Sequence, residues 1–210
     1  MILLADNDIV LKLAGCHLLD DFISALTLAD GEIFITQDAR FSLVKQAEKN
    51  LAAAPELINR VHHFVGEAKF LEQAVNGFDD LLDRMAGIDG IDSGEAILFL
   101  AAHQCQNSKL ATGDKRSLRA LLNFSDDLAV IVNSLQGRVY TLESSLLMLI
   151  QRLGYEHVNR LVSAKVIQDK TLGLAFGFER SEDHAIACLS SESRPFLSLL
   201  ANADLVQPLE

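Results

Sequence analysis

Ile2-Leu3-Leu4-Ala5-Asp6-Asn7-Asp8 decides the fold. Four apolar residues in a row, without polar alternation, suit a short strand buried on both faces, as in a parallel sheet. The acids that end it, followed by Ile9 and Leu13 at helical spacing, hand that strand over to a helix. Two more stretches repeat the pattern of acids where a strand hands over to a helix: Asp92-Ser93-Gly94-Glu95-Ala96 and Leu110-Ala111-Thr112-Gly113-Asp114-Lys115. In an α/β protein the carboxyl ends of parallel strands line one crevice. Carboxylates gathered there repel one another unless a cation joins them. Mg²⁺ and Mn²⁺ prefer oxygen ligands and serve phosphoryl chemistry.

Working outward, residues 8–28 carry a helical period (Ile9, Leu13, Leu18, Leu19, Phe22, Ile23, Leu26), broken at Gly15, and Asp30-Gly31 makes a turn. The β-branched and aromatic run Glu32-Ile33-Phe34-Ile35-Thr36 predicts a second strand. Residues 38–50 return to a helical period. Residues 56–85 read as helical, with stripes at Leu57, Ile58 and Val61, at Phe70, Leu71 and Ala74, and at Phe78, Leu81 and Leu82; a weak strand pattern crosses 63–65. A helix over 95–106, a strand over 109–112, a helix over 114–122, a helix over 125–135 and a strand over 138–142 follow. Beyond that point only helical patterns remain, including the stripe Leu146, Leu147, Leu149, Ile150 and Leu153, which suits a core or an oligomer seam. The expected architecture is a three-layer α/β/α domain with a mostly parallel sheet over residues 1–142, and an α-helical extension over 143–210.

Half of the 210 residues are apolar, enough for a sizeable core. No apolar run reaches the roughly 18 residues of a membrane span, and Asp6 and Asp8 interrupt the N-terminal run too early for a signal peptide. Cys16, Cys105 and Cys188 are odd in number and widely spaced. They read as reduced, buried thiols, which points to the cytoplasm. A net charge of −11 argues against broad electrostatic binding of nucleic acid, though not against a nuclease whose acids hold a metal.

Each acidic cluster also has a purely structural explanation. Asp and Ser are good helix N-caps, Asp92-Ser93-Gly94-Glu95 fits a capping box, and Asp6, Asp8 or Asp114 could each cap a helix. What sets them apart is position. Strand carboxyl ends converge in space, whereas caps need not. Lys109, Lys115, Arg116 and Arg119 gather in sequence around the third cluster, and Lys115 and Arg116 are placed to meet a phosphate. His62-His63 lacks a partner at metal spacing. His184 and Cys188, one turn apart, suit core packing better than zinc.

The strand ending in Asp6, the Asp92-x-Gly94-Glu95-Ala96 entry to an alanine-rich helix (Ala96, Ala101, Ala102), and Leu110-Ala111-Thr112-Gly113-Asp114 together resemble the PIN-domain nucleases, a family that includes the toxin ribonucleases of toxin–antitoxin pairs. The resemblance covers roughly residues 1–142. It implies metal-dependent cleavage of RNA, with Asp6, Glu95 and Asp114 as the catalytic acids. Asp6, Asp38, Glu95 and Asp114 would hold Mg²⁺ or Mn²⁺, and Asp8, Asp92 and Thr112 would have orienting roles. It also implies RNA as substrate, and an antitoxin-like protein or a second copy of the chain as partner. One departure is visible: where the family usually places a helical Glu, this chain has Ser42 or a neighbour, with Asp38 one turn earlier as a substitute. A domain degenerate in catalysis, acting by binding, is the alternative that departure raises. Asp6-Asn7-Asp8 also resembles the haloacid dehalogenase phosphatases. Those require a second acid four residues after the Gly-Asp, where this chain has Leu118, and a threonine where Ile9 and Val10 stand.

Overall fold

The computed structural model describes residues 2–26, 31–71, 77–164 and 169–208. In chain order the elements are β1 (Ile2–Ala5), α1 (Asn7–Gly15), α2 (Leu19–Leu26), β2 (Glu32–Ile35), α3 (Ala39–Asn50), α4 (Pro55–Glu67), β3 (Lys69–Phe70), α5 (Asp79–Ala86), α6 (Ser93–Gln104), β4 (Ser108–Thr112), α7 (Lys115–Asn123), α8 (Ala129–Leu135), β5 (Val139–Thr141), α9 (Leu142–Leu153), α10 (Tyr155–Ser163), α11 (Lys170–Ala175) and α12 (Glu182–Ser193). Two short 3-10 turns follow, Arg194–Phe196 and Ala203–Leu205.

All five strands pair in parallel, in the order β3-β2-β1-β4-β5. The chain winds outward from β1 through β2 to β3, then crosses back to β4 and continues to β5. The direction reverses between β1 and β4, and ligands of open α/β sheets bind outside the strand ends at such a point. Pairing from Ile2 with Ser108 to Ala5 with Ala111 sets Asp6 beside Thr112. The helices form the outer layers: α1 packs with α3 and α4, while α6 lies on β1, β4 and α8. The three-layer α/β/α expectation holds. Leu3, Leu4, Ile9, Leu13, Leu110 and Ala111, all buried, show why the apolar runs read as strands and helix faces do so.

The 56–85 stretch departs from the expected long helix. Residues 63–65 lie inside α4, and Lys69-Phe70 forms an edge strand beside β2. A two-residue strand has no measurable period, so the helical stripes on either side masked it. Its ends are fixed by the Leu71 N–H, which donates to the Ile35 carbonyl (2.9 Å), and by the Lys69–Glu32 ion pair. Ala74 and the end of the first helical stretch lie outside the described residues. Cys16 is buried, but Cys105 and Cys188 are only half-buried. His184 is exposed, its ring 3.0 Å from the Leu174 carbonyl, so it packs no core. Among the described residues no helix is long and apolar enough to cross a membrane.

The C-terminal helices close on the same core as the sheet. α9 contacts α1, α2 and β5. The last turn adds backbone to the sheet's free edge: the Arg138 and Val139 N–H groups donate to the Leu199 carbonyl (2.9 and 2.8 Å), and the Ala201 N–H donates to the Val139 carbonyl (2.9 Å).

At the opposite end of β4, the half-buried Arg138 guanidinium donates to the carbonyls of Ser108, Ser134, Ala102 and Cys105 and to the Ser108 hydroxyl. The fork joins the ends of α6 and α8 to β4. Lysine carries one compact ammonium and cannot span these acceptors. Arg138→Lys is therefore expected to lose about 2 kcal/mol of stability, lowering Tm by roughly 4–8 °C. An unchanged melting curve would show the fork to be dispensable.

Candidate active site at the carboxyl edge of the sheet

Asp6 occupies the N-cap position of α1 but makes no cap bond. Its carboxyl turns instead to β4. The Thr112 hydroxyl donates to Asp6 Oδ2 (3.1 Å), and the Asn7 and Gly113 N–H groups lie near enough to favour its charged form. The same hydroxyl accepts from the Asp114 N–H (3.1 Å). This turn is tight: a Cβ on Gly113 would lie 2.2 Å from Asp8 Oδ2 and 3.1 Å from the Ile9 nitrogen, so any other residue here must displace the Asp8 carboxylate.

Asp114 and Asp92 do cap their helices. Asp114 Oδ1 accepts from the Arg116 N–H (2.7 Å). Asp92 and Glu95 form a capping box, with Glu95 N to Asp92 Oδ1 at 2.9 Å and Asp92 N to Glu95 Oε2 at 2.7 Å. Glu95, although buried, lies close enough to Asp114 for the two carboxyl groups to act on each other. Hydrogen bonds join Asp6 to Asp114 through Thr112 and Glu95 to Asp92, and the Glu95–Asp114 pair brings the two sets together. Capping and convergence use the same side chains, and Asp6 alone is free of capping duty.

The electrostatics follow from this crowding. Burial, reinforced by the Asp8 charge, pushes the Asp6 carboxyl up to about 6 against the pull of the Thr112 hydrogen bond. Burial pushes Glu95 up to about 7, with the Asp92 and Asp114 charges adding to it. Burial acts on Asp114 too, but the Arg116 guanidinium and N–H overcome it and hold that carboxyl below its ordinary value. The proton of the Glu95–Asp114 pair therefore sits on Glu95.

The remaining expected residues are placed differently. Asp8 is ion-paired with Lys12 (2.9 Å), which also reaches Asp169 (3.1 Å). Asp38 stands exposed at the head of α3. The side chain of this helix that reaches the start of α1 belongs to Ser42, whose hydroxyl accepts from Asn7 Nδ2 (2.9 Å) and donates to the Asp38 carbonyl (2.8 Å). The basic residues do not gather. Lys109 donates to the Gly137 carbonyl (2.9 Å), at the start of β4. Arg116, largely exposed, clamps Asp114 through Nε (3.2 Å) and Nη2 (2.6 Å). Arg119 lies over the Phe196 ring. Lys115 turns to Glu143 (2.7 Å) and Glu192 (2.5 Å).

Glu143 was not among the expected acids. It is the second residue of α9, two positions after β5 ends, is 2% exposed, and its Oε2 has no hydrogen-bond partner. Its signal was visible: an acid soon after the run Val139-Tyr140-Thr141-Leu142 repeats the strand-then-acid pattern of Asp6 and Asp114.

Among the described residues, no three His, Cys, Asp or Glu side chains stand together as a ready metal-binding group. The donor chemistry nevertheless suits a hard divalent cation. It consists of carboxylate oxygens, one of them without a capping role, and two carboxyls that hold protons a cation would displace. Arg116, the counter-charge on Asp114, is exposed and can swing away. No family model, no curated protein and no solved structure matches the chain. The site's chemistry therefore stands on these side chains alone.

Proposed function

We propose that the chain is a PIN-like, divalent-metal-dependent ribonuclease. The observation that supports this most is the Thr112 bridge. It joins Asp6 to Asp114 across the switch point, where an α/β sheet places its ligands. Asp6, Glu95 and Asp114 would hold Mg²⁺ or Mn²⁺, which supplies an acidified water and stabilises charge on a phosphate. Thr112 fixes the Asp6 carboxyl. Asp92 fixes Glu95 through the capping box. An RNA substrate, action in the cytoplasm, and an antitoxin-like protein or a second copy as partner belong to the same proposal, with residues 1–142 carrying the chemistry.

The phosphatase alternative is less well supported. Leu118 occupies the place of the second acid and is fully buried, and Asp8 is engaged by Lys12. The degenerate alternative has a specific observation in its favour: Ser42, not an acid, faces Asn7 beside Asp6, and Arg116 neutralises Asp114.

Incubation of RNA, DNA and a phosphomonoester with Mn²⁺ separates these readings. RNA cleavage that falls by roughly 10²–10⁴ in Asp6→Asn supports the proposal. Phosphomonoester turnover with intact RNA rejects it in favour of a phosphatase. Inactivity on all three rejects it in favour of the binding domain. In that case RNA cleavage that appears in Ser42→Glu would identify the missing acid as the cause.

A further inference from the structure

Phe41, on α3, is 74% exposed. It is not a stray apolar residue. The Arg40 guanidinium lies 5.7 Å from its ring centroid and 5.6 Å from that of Phe70, between the two aromatics. Lys69 stands over Phe34 next to them, 6.0 Å from the ring centroid. Arg40, Phe41 and Phe70 separate two open grooves of about 460 and 260 Å³, and all three line both. The larger groove also carries Lys45, Glu48 and His62. In a chain of net charge −11, a ridge of two rings and a guanidinium with Lys45 beside it, against the single acid Glu48 of that groove, is locally cationic.

The ridge and the acidic site lie along the same edge of the sheet. Phe70 ends β3 at the same carboxyl edge of the sheet as Asp6 and Asp114. Ser42, the neighbour of Phe41, accepts a hydrogen bond from Asn7, the neighbour of Asp6. Planar rings and guanidinium planes interleaved with cations are the chemistry that holds unpaired bases and their phosphates. A duplex hides its base faces, and an apolar protein partner would leave Arg40 and Lys45 without complementary charge.

We propose that Arg40, Phe41 and Phe70 form a stacking platform for an unpaired base of single-stranded RNA running toward the acidic crevice. The choice of RNA rests on the ribonuclease reading. The platform itself is tested by binding, without cleavage. Fluorescence anisotropy of a short labelled oligoadenylate, in EDTA, measures affinity for the whole chain. Phe41→Ala is expected to weaken binding about tenfold or more, and Phe41→Tyr to retain it. Arg40→Gln is expected to weaken binding and to reduce its salt dependence. Phe41 is largely exposed, so its removal leaves the core intact. Equal affinity of Phe41→Ala and the natural chain would overturn the platform. So would no binding by the natural chain, equal binding of the duplex, or a dimer that Phe41→Ala dissociates, since the last gives the face to a second copy. Binding lost in Phe41→Ala while no RNA is ever cleaved keeps the platform and rejects the ribonuclease. Cleavage with binding unmoved by Phe41→Ala does the reverse.

Discussion

A fragment ending at residue 142 is expected not to fold. The helices after that point supply buried Leu146, Leu149, Ile150, Val158, Leu172, Leu189, Phe196, Leu199 and Leu200. Each is worth about 1.5–3 kcal/mol of burial, against a net stability of roughly 5–15 kcal/mol for a whole domain. Truncation also leaves the Val139 N–H and carbonyl on a bare sheet edge, which invites strand-to-strand aggregation. Lys115 loses both carboxylate partners. The fragment should be insoluble, or soluble without a cooperative unfolding transition by circular dichroism. A soluble fragment that melts cooperatively would make residues 143–210 an appendage, and residues 1–142 a domain in their own right.

Four of the five strands were legible because each is an apolar or β-branched run long enough to show against its surroundings. β3 was not, because an edge strand of two residues leaves no period and takes its pairing entirely from β2. The break at Gly15 was legible. α1 ends there, and His17 adopts a positive φ of 56° as the chain turns into α2.

The site was legible in its acids and illegible in its cations. Asp6 and Asp114 stand where a strand hands over to a helix, as local sequence encodes, but the expected strand before Asp92 and Glu95 is absent among the described residues: that cluster follows α5 and a loop, and Glu95 reaches the site as the entry of α6. Lys109 and Arg119 lie near Asp114 in sequence, yet β4 and α7 carry their side chains to Gly137 and Phe196. Only tertiary packing decides such destinations. Asp38 and Ser42 illustrate the same limit: they lie one turn apart at the head of α3, and the twist of that helix turns the hydroxyl, not the carboxylate, toward Asn7 at the start of α1. The ridge of Arg40, Phe41 and Phe70 joins α3 to β3, so it emerges only when that edge strand is in place.

Stability is expected to fall as pH rises from about 4 to 8, and a divalent cation is expected to reverse the fall. Asp6 and Glu95 have folded values near 6 and 7, above those of the unfolded chain. Between the two values the folded state binds more protons, so each step up in pH favours unfolding. The penalty is absent below pH 4, grows through pH 6 and 7, and levels off above pH 8. Two groups moved this far, discounted for solvent access, amount to about 3 kcal/mol. Asp114 and Asp169, both held low, act in the opposite sense: their stabilisation is present above pH 4 and lost only as acid protonates them. Maximum stability therefore lies near pH 4–5. Asp6→Asn and Glu95→Gln keep the acceptors for Thr112 and the Asp92 N–H but carry no charge, so each should flatten part of the slope and be more stable than the natural chain at pH 8. Mn²⁺ competes with the same protons. The rise in Tm it causes should be large at pH 8, small at pH 5, and lost in Asp6→Asn. Thermal melts at pH 5, 6, 7 and 8, with Mn²⁺ and with EDTA, measure all of this. A stability that is flat or rising over that range in EDTA would remove the buried, proton-holding carboxyls. A Mn²⁺ shift equal in Asp6→Asn and the natural chain would remove Asp6 from the metal site.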